Sequence, residues 1–153
     1  MRLSIALILI LLASPAKAQW FEGTARVIDG DTLDLSGKRI RLFGIDAPES
    51  KQPCTWNGKP WDCGKDAKEA LVEKIGDQQV RCQQRDIDRY KRIVGVCFIG
   101  DLDLNDWMVR NGWAVAYRSF SKDYVPAEAQ ASKEKAGIWK SRFEKPWDWR
   151  RKN

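Results

Sequence analysis

Polar and apolar positions alternate in three consecutive runs near the start of the chain, "EGTARVI", "DTLDLS" and "KRIRLFGI". A period of two marks strands that lay one face on a core. Asp29-Gly30 between the first two runs is a hairpin signal, and Ser36-Gly37 joins the second to the third. The alternation then gives way to a polar loop, "SKQPCTWNGKPWDCG", rich in proline, glycine and tryptophan. In "KDAKEALVEKI" the period lengthens. Ala67, Ala70, Leu71 and Ile75 fall at helical spacing, and Gly76 stops the run. Two further strand runs, "QQVRCQQ" and "RIVGVCFI", flank the charged "RDIDRYK".

A second helix is predicted over "LNDWMVRN", with Asp103 to cap it, Gly112 to end it, and Leu104, Trp107 and Met108 facing inward. "WAVAY" is short and strand-like. "PAEAQASKEKAG" is a third, alanine-rich helix with Pro126 near its start and Gly137 past its end. The tail, "IWKSRFEKPWDWRRKN", alternates aromatics with charges. No repeat and no long linker divides the chain. Three strands, a helix, two strands and further helices predict an α+β fold, a small five-stranded OB-type β-barrel with about three helices.

The first residues do not belong to that fold. "MRLSIALILILLASPAKA" has a positive start at Arg2, an apolar stretch from Leu3 to Ala13, and a small-residue cleavage site at Ala16-Lys17-Ala18. It reads as a secretory signal peptide over residues 1–18, too short to be a membrane anchor. The expected mature domain is 19–153, with its motifs over about 24–139, an aromatic and basic tail over 140–153, and no membrane span. Arg2 and Lys17 leave with the leader, which lowers the net charge from +6 to +4. That excess suits a polyanionic partner and equally suits an ordinary basic surface.

Export changes the meaning of the four cysteines, Cys54, Cys63, Cys82 and Cys97. An oxidising compartment favours two disulfides. Zinc would need all four thiolates, because the chain has no histidine. Four cysteines allow three connectivities. Cys82 and Cys97 lie in the two runs that flank "RDIDRYK" and would face each other in one antiparallel hairpin. Cys54 and Cys63 bracket the polar loop. This arrangement favours Cys54–Cys63 and Cys82–Cys97; the crossed pairings remain open at this level.

The candidate chemistry sits at strand ends. In "RIRLFGIDAPES", Arg41 shares a strand face with Phe43 and Ile45, a costly place for a cation without a partner. Two carboxylates, Asp46 and Glu49, follow the strand. "VIDGDT" supplies Asp29, Asp31 and Thr32, and "DRYKR" supplies Arg89, Tyr90 and Arg92. Each motif alone is more often a plain turn or a solvated hairpin tip. Period-two alternation puts Asp46 opposite Arg41, so the chain must turn at Ile45-Asp46 to bring them together.

In this order the three motifs resemble the staphylococcal nuclease-like (thermonuclease) family, over about Thr24 to Trp139. The resemblance implies a calcium-dependent endonuclease that cuts DNA and RNA and leaves 3′-phosphates. It implies Asp31, Asp46 and the Ala47 carbonyl as Ca2+ ligands. Arg41 and Arg92 are implied to hold the phosphate, and Glu49 to activate or orient water. Arg89 and Tyr90 match positions near a terminal phosphate, and Tyr117 matches an aromatic beside the nucleotide. Ala47 stands where the family often has threonine, and Lys91 where it usually has glycine. Two other classes of protein fit the same fold: an inactive nuclease-like module that binds nucleic acid or protein, and an accessory protein of an envelope or polysaccharide pathway. A periplasmic or secreted monomer is expected.

Overall fold

A computed structural model describes residues 18–153. The expected leader therefore lies outside the described residues, apart from Ala18. The first apolar run divides into β1 (Trp20–Gly23) and β2 (Ala25–Asp29), separated by Thr24. β3 (Thr32–Leu35) and β4 (Lys38–Leu42) follow as antiparallel neighbours, and then the two-residue β5 (Ile45–Asp46). The polar loop contains a small hairpin, β6 (Cys54–Trp56) and β7 (Lys59–Trp61), turned at Asn57-Gly58 with both residues left-handed (φ 51° and 74°). That dipeptide is a strong hairpin signal, and the loop reading passed over it.

Helix α1 (Cys63–Ile75) leads to β8 (Val80–Ile87), which pairs antiparallel with β9 (Ile93–Ile99). The short β10 (Leu102–Asp103) borders α2 (Leu104–Arg110). Asp103 caps α2 as expected, accepting from the Asp106 N–H at 3.0 Å. Of "WAVAY" only β11 (Val115–Ala116) is a strand, and it pairs with β5. α3 (Val125–Glu134) is the third helix, and the tail adds a fourth, α4 (Pro146–Lys152). Residues of the tail's "PWDWRRK" are turn-forming and aromatic rather than strongly helical, so periodicity alone did not mark α4.

The main sheet runs β1-β8-β9-β4-β3-β2, with β4 and β9 parallel. Its two ends are the two halves of one chain run, hinged at Thr24. The sheet bends back on itself as an OB-type sheet, and the chain rather than a hydrogen-bonded ladder joins its ends. Leu33, Ile40, Leu71, Leu104 and Met108 are fully buried within it. Each such side chain contributes roughly 1.5–3 kcal/mol by burial. α1 turns Ala67, Leu71 and Ile75 onto this core at four-residue spacing.

A second apolar cluster surrounds Cys54, Cys63, Val115 and Ile138, with Trp61, Trp139, Phe143 and Trp147 packed against it. It seats the tail beside the loop that follows Glu49. Both disulfides have the favoured pairing, Cys54–Cys63 and Cys82–Cys97. Cys82 and Cys97 are direct partners in the β8–β9 register. No described helix is long and apolar enough to cross a membrane.

Candidate active site

The turn from β2 to β3 carries Asp29, Asp31 and Thr32, β4 carries Arg41, and β5 carries Asp46. Because β3 and β4 pair with Thr32 opposite Arg41, the turn's carboxylates come to the arginine's side. Arg41 lies between two acids. Its Nη1 faces Asp31 Oδ1 in ion-pair contact, and its Nη2 donates to Asp46 Oδ1 at 2.7 Å. Asp31 Oδ2 accepts from the Ala47 N–H at 2.7 Å, and Thr32 Oγ1 donates to Asp31 Oδ1 at 3.1 Å. A buried cation thus has two buried anions.

The turn that brings Asp46 round falls one residue earlier than Ile45-Asp46. Gly44 is left-handed (φ 72°), and a Cβ there would sit 3.0 Å from the Tyr124 ring. Only glycine takes that bend and that contact without strain. Beyond β5 a second close approach fixes Glu49. A Cβ on Gly64, in the first turn of α1, would lie 1.9 Å from the Glu49 carbonyl oxygen. Gln52, itself buried, donates to the Glu144 carbonyl at 2.7 Å and so ties the Glu49 loop to the tail.

The β8–β9 turn supplies the other wall. Asp88 Oδ2 accepts from Arg92 Nε at 2.7 Å, while its Oδ1 accepts from the backbone N–H groups of Tyr90 and Arg92. Lys91 keeps a left-handed backbone (φ 61°) without being glycine, so Arg92 stays in place. Arg89 and Arg92 flank the Tyr90 ring, at 5.3 and 5.5 Å from its centroid.

Arg41, Glu49, Arg92, Asp31, Arg89, Tyr90 and Tyr117 all line one cleft of about 620 Å3. Asp46 and Ala47 lie beneath its floor, buried. Asp29 and Asp88 also line it, as does Arg150 of the aromatic and basic tail. Arg150, from α4, forks onto Asp46 through both nitrogens at 2.9 Å and reaches Glu49 Oε1 at 2.7 Å. One turn earlier in α4, Trp147 stacks flat on Tyr117, with centroids 5.0 Å apart. The aromatic and basic composition of the tail was the available signal. Nothing local pointed it at Asp46.

These contacts set the charges. Burial pushes the Asp31 carboxyl up, but Arg41 and the Ala47 N–H pull it further down, below the usual carboxylate range. Burial holds Asp46 above its ordinary value despite Arg150 and Arg41. Asp29 is pushed up to about 7, by burial first and by the adjacent Asp31 charge second. In Arg41, burial opposes the charge, but Asp31 and Asp46 outweigh it and the group stays a cation.

The sequence profile of the family described as "Staphylococcal nuclease homologue" matches residues 39–141. The chain belongs to that family. It is 36% identical to the succinoglycan biosynthesis protein ExoI of Rhizobium meliloti (strain 1021), over 89% of this chain and 73% of that protein. It is 31% identical to a micrococcal nuclease of Shigella flexneri, over 99% of this chain and 92% of the relative. It is 32% identical to an uncharacterized endonuclease of Escherichia coli, over 98% of each chain. The family is generally calcium-dependent, which raises the question of whether this nuclease-like chain could hold the ion.

Among the described residues no group of three or more His, Cys, Asp or Glu side chains is placed to hold a metal ion. Two carboxylates, Asp31 and Asp46, do converge on one cationic centre, the Arg41 guanidinium. Both are hard oxygen donors, and a calcium site can complete its shell with carbonyls and water. By donor type the two carboxylates suit calcium, with Arg41 and Arg150 the cations that it would have to displace from them.

Proposed function

We propose that this chain is a calcium-dependent endonuclease that hydrolyses phosphodiester bonds in DNA and RNA and leaves 3′-phosphates. The observation that supports this most directly is the meeting of two arginines from separate strand pairs, Arg41 and Arg92, in one cleft with Glu49 and Asp31. Guanidinium groups match phosphate oxygens with paired hydrogen bonds.

In this reading Arg41 and Arg92 grip the phosphate and stabilise the charge that grows as phosphorus becomes five-coordinate. Glu49, one-third exposed at the cleft edge, orients a water and accepts its proton. The water oxygen bonds to phosphorus, the P–O5′ bond breaks, and the departing 5′-oxygen takes up a proton from solvent water. Asp31, Asp46 and the Ala47 carbonyl would hold calcium, which offsets phosphate charge and orients the phosphate when bound. Arg89, Tyr90 and Tyr117 would steady the nucleotide beside the phosphate. Recognition confined to phosphate and ring faces would tolerate both DNA and RNA.

The test is digestion of single-stranded DNA and RNA by purified protein with calcium or with chelator, with end-group analysis of the products. Arg41→Ala and Arg92→Ala should each lose about 10³–10⁵ in rate, and Glu49→Gln about 10²–10⁴. Near-normal turnover by any of these folded variants would remove that residue from the mechanism. Two disulfides suit an exported protein of residues 19–153; N-terminal sequencing of the mature chain checks the cleavage site.

The likeness to a protein named for succinoglycan biosynthesis supports a second reading, an accessory role in an envelope polysaccharide pathway. That reading expects no hydrolysis of nucleic acid under any metal condition.

A further inference from the structure

A second groove, of about 760 Å3, continues from the cleft onto α4. The two share Arg89, Tyr90, Tyr117 and Arg150. The groove adds Arg118, Lys145 and Arg151, and no carboxylate lines it. The acids that meet these cations lie behind the lining and fall short of balancing them. Arg118 contacts Glu128 at 2.5 Å and Lys145 reaches the same carboxylate at 3.8 Å, so two cations share one charge. Glu128 Oε1 is also taken by the Ala116 N–H. Among the described residues Arg151 meets only Asp148, and its side chain is 77% exposed. Arg89 makes no ion pair among the described residues. The stacked Tyr117–Trp147 pair braces the wall between cleft and groove.

We propose that this groove is a subsite for the nucleic-acid strand beyond the cleaved phosphate. A single-stranded polynucleotide leaves the cleft past Tyr90 and Tyr117 and lays its next phosphates on Arg118, Lys145 and Arg151. The placement of the strand in the cleft rests on the nuclease reading above. Lys145, Trp147 and Arg151 lie beyond the family match at residues 39–141, so this subsite is built largely by the chain's own C-terminal segment. The charge calls for a polyanion. The aromatics select the single strand. Tyr90 is 68% exposed, and a ring can stack only on a base whose face is free, whereas a duplex hides its base faces.

The test uses fluorescence anisotropy on Glu49→Gln protein with calcium, so that bound strands survive. The probes are a trinucleotide, a single strand of about 12 nucleotides, and a duplex of the same length. The long single strand should bind at least about tenfold tighter than the trinucleotide. Added to that background, Lys145→Gln and Arg151→Gln should each weaken the long strand about three- to tenfold and lower the salt slope by about 0.7. Trinucleotide binding should not change. Variants that bind the long strand like their parent, or a duplex that binds as tightly as the single strand, would overturn the proposal. Hydrolysis of a short chromogenic diester by the unmutated protein separates the two readings. Hydrolysis without length-dependent binding defeats the groove alone. Length-dependent binding without hydrolysis supports the groove and defeats the nuclease reading.

Discussion

Replacing Arg150 with alanine should destabilise the calcium-free protein and tighten its hold on calcium by the same free energy. Arg150 makes three short charged contacts, two to Asp46 and one to Glu49. Asp46 is fully buried, whereas the Arg150 side chain is 37% exposed and Glu49 33% exposed. An exposed ion pair contributes about 0–1 kcal/mol, and stripping one partner from a buried pair costs about 3–5 kcal/mol. With one buried and two partly exposed members, and with Arg41 left to cover Asp46, the loss should be about 1–2 kcal/mol. Calcium held at Asp46, as proposed, would first have to displace this arginine. Removing Arg150 therefore removes a cost of binding, and 1–2 kcal/mol corresponds to about 5- to 30-fold tighter calcium. Titration calorimetry reads the affinity, and urea unfolding in chelator reads the stability. In saturating calcium the two proteins should unfold alike, because the contact is already broken. Arg150→Lys, which keeps the charge without the fork, should fall between them. A folded Arg150→Ala protein with unchanged or weaker calcium affinity would refute the reasoning.

Other outcomes follow from single contacts. Because the folded protein raises the Asp29 pKa to about 7, the neutral acid is favoured in the native state. Its contribution is fully present below about pH 4 and is lost as pH rises toward 7. In chelator, Asp29→Asn keeps an acceptor for the Asp31 N–H and should be more stable than the parent at pH 8, by about 1–3 kcal/mol, and little changed at pH 4. Urea unfolding at the two pH values decides it; equal stabilities at pH 8 would show that ionising Asp29 costs the fold nothing. Lys91→Ile puts a β-branched side chain at φ 61° and should cost about 1–2 kcal/mol, whereas Lys91→Gly should stay within about 1 kcal/mol of the parent. Replacing Cys82 and Cys97 together by alanine should cost about 2–4 kcal/mol, read as a fall in the denaturation midpoint; an unchanged midpoint would mean that the bridge adds nothing to stability.

Much of the fold was legible because its determinants are local. Period-two runs located the main strands, and four-residue spacing of Ala67, Leu71 and Ile75 located α1. Asp103 marked the start of α2 through a contact three residues away. The hairpin register that aligns Cys82 with Cys97 followed from two strands and one short turn. The turn carboxylates, Arg41 and Arg92 were likewise visible as candidates, because each sits at the end of a readable strand. Their convergence was not visible. Alternation put Asp46 opposite Arg41, and only the left-handed bend at Gly44 reverses that. The charge state of Asp29 depends on burial, which no local pattern records. Arg150 meets Asp46 across 104 residues of sequence. That pairing is decided by an apolar cluster that seats the tail and by Gln52 holding Glu144. Short-range periodicity determined the elements. The charge balance of the cleft was decided by tertiary packing, because its partners are neighbours only after the chain has folded.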